Sequence, residues 1–505
     1  MKKLFTMIIA GLMVSAQVFA VTPKDVCGQF SGDLWIDWDQ YPNRSIYLLP
    51  GTTDNTLTFV LPDFTFGNGK LGNIVLPNIS MDANGKLTLE ETTIWLDSIR
   101  LRASIKMLNN YEDEGEIYNS IVSNTAAQVT LEIAEPQTLP MPIIVVFNGN
   151  AVRNNNYALN NGGFEGAWTN NEPQGWHSFG SADGLMASFV TANTYQFIQS
   201  NEVRPGSKGT NSALLSSNII FGVKANGNCT NGRINAGSMT ADDPANNYNY
   251  SDPESTDFNT PFNGRPDSIV FWTKYLPADR DAANAVNKAR LNAVITTNAR
   301  YQDPEATDYS AVKIGNAEIN YSATSDMSWQ RLAVPFEYVA ANKDEKPAYI
   351  LTTFTTNMTP GGGSSHDKVL DSVYIDDVEL VYNNQLKAFT MDGVALTFAN
   401  NEATVSSSYC DDCVKFGATS NGAAAKAFIA FDATLKCIHV YVIADDFAQT
   451  GEYNIYRVNF ADTGEQSGVE DVVSNGARIQ KVIIDGQLYI RNGDEIFDIF
   501  GNRAK

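Results

Sequence analysis

Ile99-Arg100-Leu101-Arg102-Ala103-Ser104-Ile105-Lys106-Met107 puts an apolar side chain at every second position and a charged or hydroxyl-bearing one between them. A period of two marks a strand with one face in a core, because successive side chains point to opposite sides of a sheet. Further along, Val129, Leu131 and Ile133 alternate with Gln128, Thr130 and Glu132, and upstream Leu57, Phe59 and Leu61 follow the same rule. Asn84-Gly85 between apolar runs is a hairpin-turn signal, since both residues tolerate positive φ. About seven or eight such runs fall between Gln29 and Asn148, and short, evenly spaced strands with turn residues between them predict a barrel or a sandwich. A barrel of about eight strands has room for side chains or for one small ligand. Leu57, Phe59 and Leu61 are the residues expected to line that interior.

Downstream, Ile269-Val270-Phe271-Trp272-Thr273-Lys274-Tyr275 is apolar on both faces, which suits an inner strand of a two-sheet sandwich. Further strands are expected at 427–431, 437–443 and 453–460, with polar linkers at 149–163 and 463–478. The chain therefore reads as all-β, in units at 21–148, 164–383, 384–462 and 479–505.

Composition sets the outer limits. The 505 residues are 43% apolar and 11% aromatic, enough to pack cores and to exclude a disordered chain. A formal net charge of −22 repels phosphate backbones and anionic headgroups, so nucleic acid is excluded as a partner while neutral or cationic partners remain open. Met1-Lys2-Lys3, an apolar stretch over 4–14 broken by Thr6 and Gly11, and Val18-Phe19-Ala20 predict a secretory signal peptide over 1–20. That stretch is too short to span a bilayer, and no later run reaches about 18 apolar residues, so no transmembrane span is expected. The predicted location is the cell surface, the outer membrane or the extracellular space.

Export makes the cysteines candidates for disulfides, and five is an odd number, so at least one stays free or pairs between chains. Cys410-Asp411-Asp412-Cys413 with Cys437 and His439 offers thiolates and an imidazole to zinc, the last two sharing one face of a strand. The second half lacks the CxxC or HxxxH spacing, so disulfides or buried thiols are the expectation and no metal ligand is assigned. No cofactor is expected, apart from a structural calcium ion that abundant carboxylates could hold.

Three stretches carry resemblances. Gly28-Gln29-Phe30-Ser31-Gly32-Asp33-Leu34, Leu61-Pro62-Asp63-Phe64-Thr65-Phe66-Gly67 and Leu71-Gly72-Asn73-Ile74-Val75 resemble the calycin-like β-barrel family of exported bacterial proteins, over 27–148. That likeness implies a lipocalin-related fold and no common ligand. Gly163-Phe164-Glu165 with Pro173-Gln174-Gly175-Trp176-His177, Arg265-Pro266-Asp267-Ser268, Ser328-Trp329-Gln330-Arg331 and Ser372-Val373-Tyr374-Ile375-Asp376-Asp377 are similar to the putative carbohydrate metabolism domain (PCMD) family, over 160–383. This implies a β-jelly-roll of carbohydrate-binding-module type, in a family sometimes assigned glycoside hydrolase activity. Residues 384–462 resemble the small immunoglobulin-like sandwich that accompanies such a domain. The two short strands and terminal Gly501-Asn502-Arg503-Ala504-Lys505 resemble a type IX secretion sorting tail, which implies surface-anchoring machinery as a partner.

The chemistry expected from residue types is limited. Gly67-Asn68-Gly69-Lys70-Leu71-Gly72 fits a dinucleotide fingerprint, but a β run stopped by Pro77 follows instead of the helix that would hold a pyrophosphate. No Gly-x-Ser-x-Gly elbow, His-Glu-x-x-His pair or P-loop occurs, and His177, His366 and His439 lack a recognisable triad context. Asp376-Asp377 are strand neighbours that should face opposite sides, so they should not flank one glycosidic bond together. Sugar rings stack their C–H faces on aromatics while Asn, Asp and Gln bond the hydroxyls. Trp176, Trp272 and Trp329 are expected in the core. Tyr248, Tyr250 and Phe258 fall in a long polar loop over 242–264, and His366 in a Gly/Ser loop over 359–367, which makes these four the predicted carbohydrate-binding residues. The function expected is therefore non-catalytic binding of a polysaccharide or oligosaccharide. The alternatives are a glycoside hydrolase using an Asp/Glu pair of the jelly-roll, and a structural or adhesin-like surface protein.

Overall fold

The computed structural model describes residues 21–66, 69–96, 101–113, 115–134, 141–153, 156–191, 196–220, 222–278, 288–359, 370–406, 415–432 and 435–461, with strands at 479–484, 487–492 and 495–498. The expected signal peptide, the linker over 463–478, Cys410, Cys413 and His366 lie outside these residues. The fold is all-β, and among the described residues no helix is long and apolar enough to cross a membrane.

The first unit is one antiparallel sheet of ten strands. Its path runs Leu87–Thr88, Gly69–Met81, Thr56–Phe66, Asp39–Pro50, Gly28–Ile36, Ile143–Ala151, Ala126–Ala134, Leu101–Met107 and Thr92–Leu96, with Ile121–Val122 alongside Ala126–Ala134. The period of two holds: Ala103, Ile105 and Met107 are buried together with Val129, Leu131 and Ile133. The Asn84-Gly85 turn does more than join two strands. Val122 N donates to Gly85 O at 2.9 Å and Leu87 N to Ser120 O at 2.8 Å, drawing the two ends of the sheet together. Gly85 has φ +80°, and a Cβ there would lie 2.0 Å from Val122 O, so only glycine permits this seam. Leu57, Phe59 and Leu61 are fully buried in a continuous cluster with Phe30, Phe64 and Phe147. These side chains therefore face the barrel interior as part of its apolar core. The GxGxxG stretch runs into the strand Gly69–Met81, with no helix for a pyrophosphate.

The linker expected to begin at Gly149 begins later, because Ile143–Ala151 is one strand and Gly149 pairs with Gly32. The middle unit then packs two five-stranded antiparallel sheets face to face. One orders Phe197–Ser200, Ser212–Ser216, Ser372–Val381, Ser268–Leu276 and Gln330–Pro335; the other orders Asn228–Thr230, Tyr349–Thr355, Ala289–Thr296, Lys313–Tyr321 and Glu337–Tyr338. Ile269, Phe271 and Tyr275 from the first sheet meet Leu291, Ala293 and Phe354 from the second, with Trp176 at the centre of the same core. Trp272 and Trp329 depart from expectation. Trp272 alternates with the core residues Phe271 and Thr273, so it lies on the opposite face under the Arg204 guanidinium at 5.2 Å. Trp329 packs on Tyr374 at 6.0 Å.

The third unit sets a three-stranded sheet (Gln385–Met391, Val394–Ala395, Phe416–Asn421) against a four-stranded one (Glu402–Val405, Lys426–Asp432, Cys437–Ile443, Tyr453–Phe460). Its hairpin Lys426–Asp432/Cys437–Ile443 docks on the outside of the barrel, where Tyr47, Leu49, Val60 and Val75 pack against Phe428, Ala430, Tyr441, Ile443 and Phe447. Thr58 Oγ1 and Tyr441 OH share a hydrogen bond of 3.0 Å across that contact. At the C-terminus the expected two-stranded hairpin carries a third strand, Glu495–Asp498. The described cysteines Cys27, Cys229 and Cys437 are free thiols, Cys229 and Cys437 buried, so of the two expected states, disulfide or buried thiol, these two take the second.

Candidate functional site

A small third sheet, Arg233–Ala236, Asn247–Ser251 and Tyr301–Asp303, covers part of the outer face of the second sandwich sheet. Val294, Tyr301 and Leu351 form an apolar patch between them. Arg290 secures the arrangement, with Nη1 and Nη2 each donating to Asp303 at 2.8 Å and Nε to Glu318 at 2.7 Å. Burial works against the Arg290 charge, but the Asp303 carboxylate outweighs it and holds the guanidinium well above its ordinary pKa.

Beside this join lies a cavity of about 340 Å³. Its apolar lining includes Phe179, Phe189, Ile234, Met239 and Tyr248, contributed by the small sheet and by the short helix Ala187–Thr191 with its flanks. Its polar lining includes Asn226, Asn228 and Asn249, which are only 8%, 8% and 4% exposed. The Asn226 amide donates to Asn357 O at 3.1 Å and the Asn249 amide to Asp303 O at 3.4 Å. The carboxamide oxygens of all three have no hydrogen-bond partner in the protein. Buried acceptors are seldom left unmatched; these three are inaccessible even to water in the unliganded protein, so they lie behind the cavity wall and would meet a ligand only if their carboxamides turned toward it. Among the described residues Glu318 is the one carboxylate in the lining, and Arg290 holds it.

The four predicted binding residues divide. Tyr248 lines the cavity, with its ring 5.6 Å from that of Tyr250. Tyr250 is 3% exposed, donates its hydroxyl to Asp183 Oδ2 at 2.7 Å, and lies 3.8 Å beneath the Arg300 guanidinium. Burial and Asp183 push its phenol up to about 12. Phe258 is half-buried between the His177 ring at 4.7 Å and the Arg233 guanidinium at 4.5 Å. Tyr250 and Phe258 are held in the cover by these contacts, and neither is among the residues lining the 340 Å³ cavity. The loop expected over 242–264 contains the strand Asn247–Ser251, paired on both sides. His366 lies outside the described residues.

His177 does not complete a nucleophilic triad. Its Nε2 lies 2.8 Å from the Asp257 carbonyl, while Ser181 Oγ and Glu172 Oε2 both approach Nδ1 at 3.5 Å. A triad needs its serine and its acid on different ring nitrogens. Burial raises the Glu172 carboxyl, but hydrogen bonds from His177 and Ser178 outweigh it and hold the group below its ordinary value. Asp376 and Asp377 also differ from expectation. A bulge with Asp377 at φ 44° brings both to Arg204, whose N donates to Asp376 Oδ2 at 3.1 Å and whose Nε donates to Asp377 Oδ2 at 2.6 Å. Burial, with the neighbouring Asp377 charge, pushes the Asp376 carboxyl up to about 6.

No family model matches the chain, and no curated protein matches it. Three solved structures are similar to it in part. A candidate glycoside hydrolase from Bacteroides thetaiotaomicron is 14% identical at a TM-score of 0.30, over 70% of this chain and 84% of that one. A carbohydrate-binding module of the β-sandwich superfamily is 10% identical at 0.21, over 66% and 96%. The glycoside hydrolase domain of Endo-D from Streptococcus pneumoniae is 7% identical at 0.17, over 61% and 36%.

Proposed function

We propose that this chain is a glycan-binding protein, exported to the cell surface or beyond, that holds a short saccharide segment in the cavity beneath the small sheet. The carrying observation is the cavity itself, where Tyr248 and apolar side chains such as Phe179, Phe189 and Met239 share the lining with the carboxamide residues Asn226, Asn235 and Asn247. Sugar rings offer that complement: hydroxyl donors on the rim and C–H faces for Tyr248 and the neighbouring apolar side chains. A volume near 340 Å³ falls at the lower end of ordinary ligand pockets, which span ~300–1,000 Å³ and so suit a small segment. Binding without cleavage is favoured because the Glu318 carboxylate in the lining is held by Arg290, whereas hydrolysis needs two carboxyl groups flanking the bond.

The test is a glycan array followed by titration calorimetry on the chain lacking residues 1–20. Saturable binding that weakens about tenfold or more in Tyr248→Ala, an effect of roughly 1.4 kcal/mol, is the expected result. No binding to plant, host or microbial glycans would refute the proposal. Release of reducing ends, abolished by one Asp or Glu substitution, would replace binding with hydrolysis.

A further inference from the structure

We propose that Asp432, Cys437 and His439 form a binding site for one divalent transition-metal ion of the zinc class, set in the seam between the barrel and the third unit. The three residues come from one hairpin. Asp432 ends the strand Lys426–Asp432 and pairs with Cys437, while His439 pairs with Ala430 two positions along. This register places all three side chains on the face that carries Phe428 and Tyr441 against the barrel wall.

Cys437 Sγ lies 3.2 Å from His439 Nε2, and Asp432 Oδ2 lies 3.7 Å from the same nitrogen. One ligand atom from each residue falls within a span of 4.8 Å. Metal–ligand bonds of ~2.0–2.3 Å at tetrahedral angles separate ligand atoms by roughly 3.3–3.6 Å, so this spacing needs little adjustment. The residues are 3%, 1% and 4% exposed, so the ion would be screened from water on most sides. A thiol, an imidazole and a single carboxylate are a borderline-soft set, suited to zinc or cobalt and not to calcium or magnesium.

The carboxylate of the set is held in place by two hydrogen bonds. Leu435 N donates to Asp432 Oδ1 at 2.8 Å, and Asn78 Nδ2, from the barrel, donates to Asp432 Oδ2 at 2.8 Å. Hydrogen bonds of this kind orient a coordinating carboxylate and leave it further lone pairs. Arg457 lies opposite His439 in register and near Cys437, where its charge offsets part of the −2 of a thiolate with a carboxylate. His439 Nδ1 is buried without a protein partner, so the ring lacks the second hydrogen bond that usually orients a metal-bound histidine and makes its polar contacts through Nε2 to the cluster. The ion would join the hairpin to the barrel through Asp432 and Asn78. This inference stands apart from the saccharide cavity, which lies in the middle unit.

The experiment uses the full chain without residues 1–20, stripped with a chelator, dialysed and titrated with Co(II) or Zn(II). The expected result is about one equivalent of metal per chain, with the cobalt form showing tetrahedral d–d bands and a thiolate-to-cobalt charge-transfer band. Cys437→Ser should remove the charge-transfer band. Asp432→Asn, which preserves size, should weaken affinity by at least ~10-fold while near-UV circular dichroism reports an intact fold. A folded wild-type chain that takes up no cobalt would overturn the proposal and leave a buried thiol–imidazole hydrogen bond. Cobalt retained by Cys437→Ser but lost from Cys410→Ser/Cys413→Ser would also overturn it.

Discussion

Asn228→Leu separates a ligand site from a structural polar cluster. The Asn228 side-chain oxygen is buried at the cavity with no partner in the protein. A buried acceptor left unmatched costs about 1–3 kcal/mol relative to water, and leucine, close in volume, removes the acceptor without leaving a void. The unliganded variant should therefore match the parent in stability or exceed it by up to about 1–2 kcal/mol. Binding should move the other way. A ligand hydroxyl that turns the Asn228 carboxamide into the cavity would lose one hydrogen bond in the variant, worth about 0.5–1.5 kcal/mol, and affinity would weaken by roughly 2- to 13-fold. Asn226→Leu is the control, because its amide donates to Asn357 O at 3.1 Å, and losing that bond should lower stability by about 1 kcal/mol. The assay is denaturant unfolding of the free protein, paired with calorimetry against the best array ligand. If Asn228→Leu destabilises the free protein by more than about 2 kcal/mol and leaves affinity unchanged, Asn228 serves the fold and the argument from unpartnered acceptors fails.

Three further outcomes follow from the same geometry. Asp303→Asn leaves the Arg290 charge buried beside a weaker partner, so melting of the middle unit should fall by an amount equivalent to about 3–5 kcal/mol, taking glycan binding with it. Asp376 has a folded pKa near 6 against 3.8 for the free group, so its contribution is greatest below 3.8 and is lost as pH rises through 6. Asp376→Asn should then stabilise the protein at pH 7.5 by up to about 3 kcal/mol and have little effect at acidic pH, as read by melting across that range. Tyr441→Ala removes a fully buried ring and its bond to Thr58 at the barrel contact, so it should cost about 3–5 kcal/mol and raise proteolysis between the units.

The barrel strands were legible because one buried face imposes a period of two. The same rule concealed the docking contact. Thr58 and Val60 occupy the positions of Leu57–Leu61 that ought to face water, yet both are buried against Tyr441 and its neighbours, which come from far along the chain. Asn247-Tyr248-Asn249-Tyr250 carries a strict polar–aromatic alternation, but its asparagines suggested a loop, since that residue is depleted in strands. Tyr248, which lines the cavity, was singled out by residue type alone, whereas Asn226, Asn228 and Asn249 carry no sequence signature and become evident only through burial. Asp432 likewise escaped notice: pairing across a hairpin brings it to Cys437, and no linear motif encodes that pairing. Trp272 reads as core in an apolar run, yet the period of two assigns it to the face opposite Phe271.

The bond between Thr58 and Tyr441 spans 383 positions of chain. As the polypeptide emerges, the barrel can complete its interior while Tyr47, Leu49, Val60 and Val75 on its flank stay wet until the hairpin that covers them has been synthesised. Such a delayed closure invites clustering of unfinished chains, so a truncated form ending before residue 426 should precipitate or recruit a chaperone although every barrel strand is present.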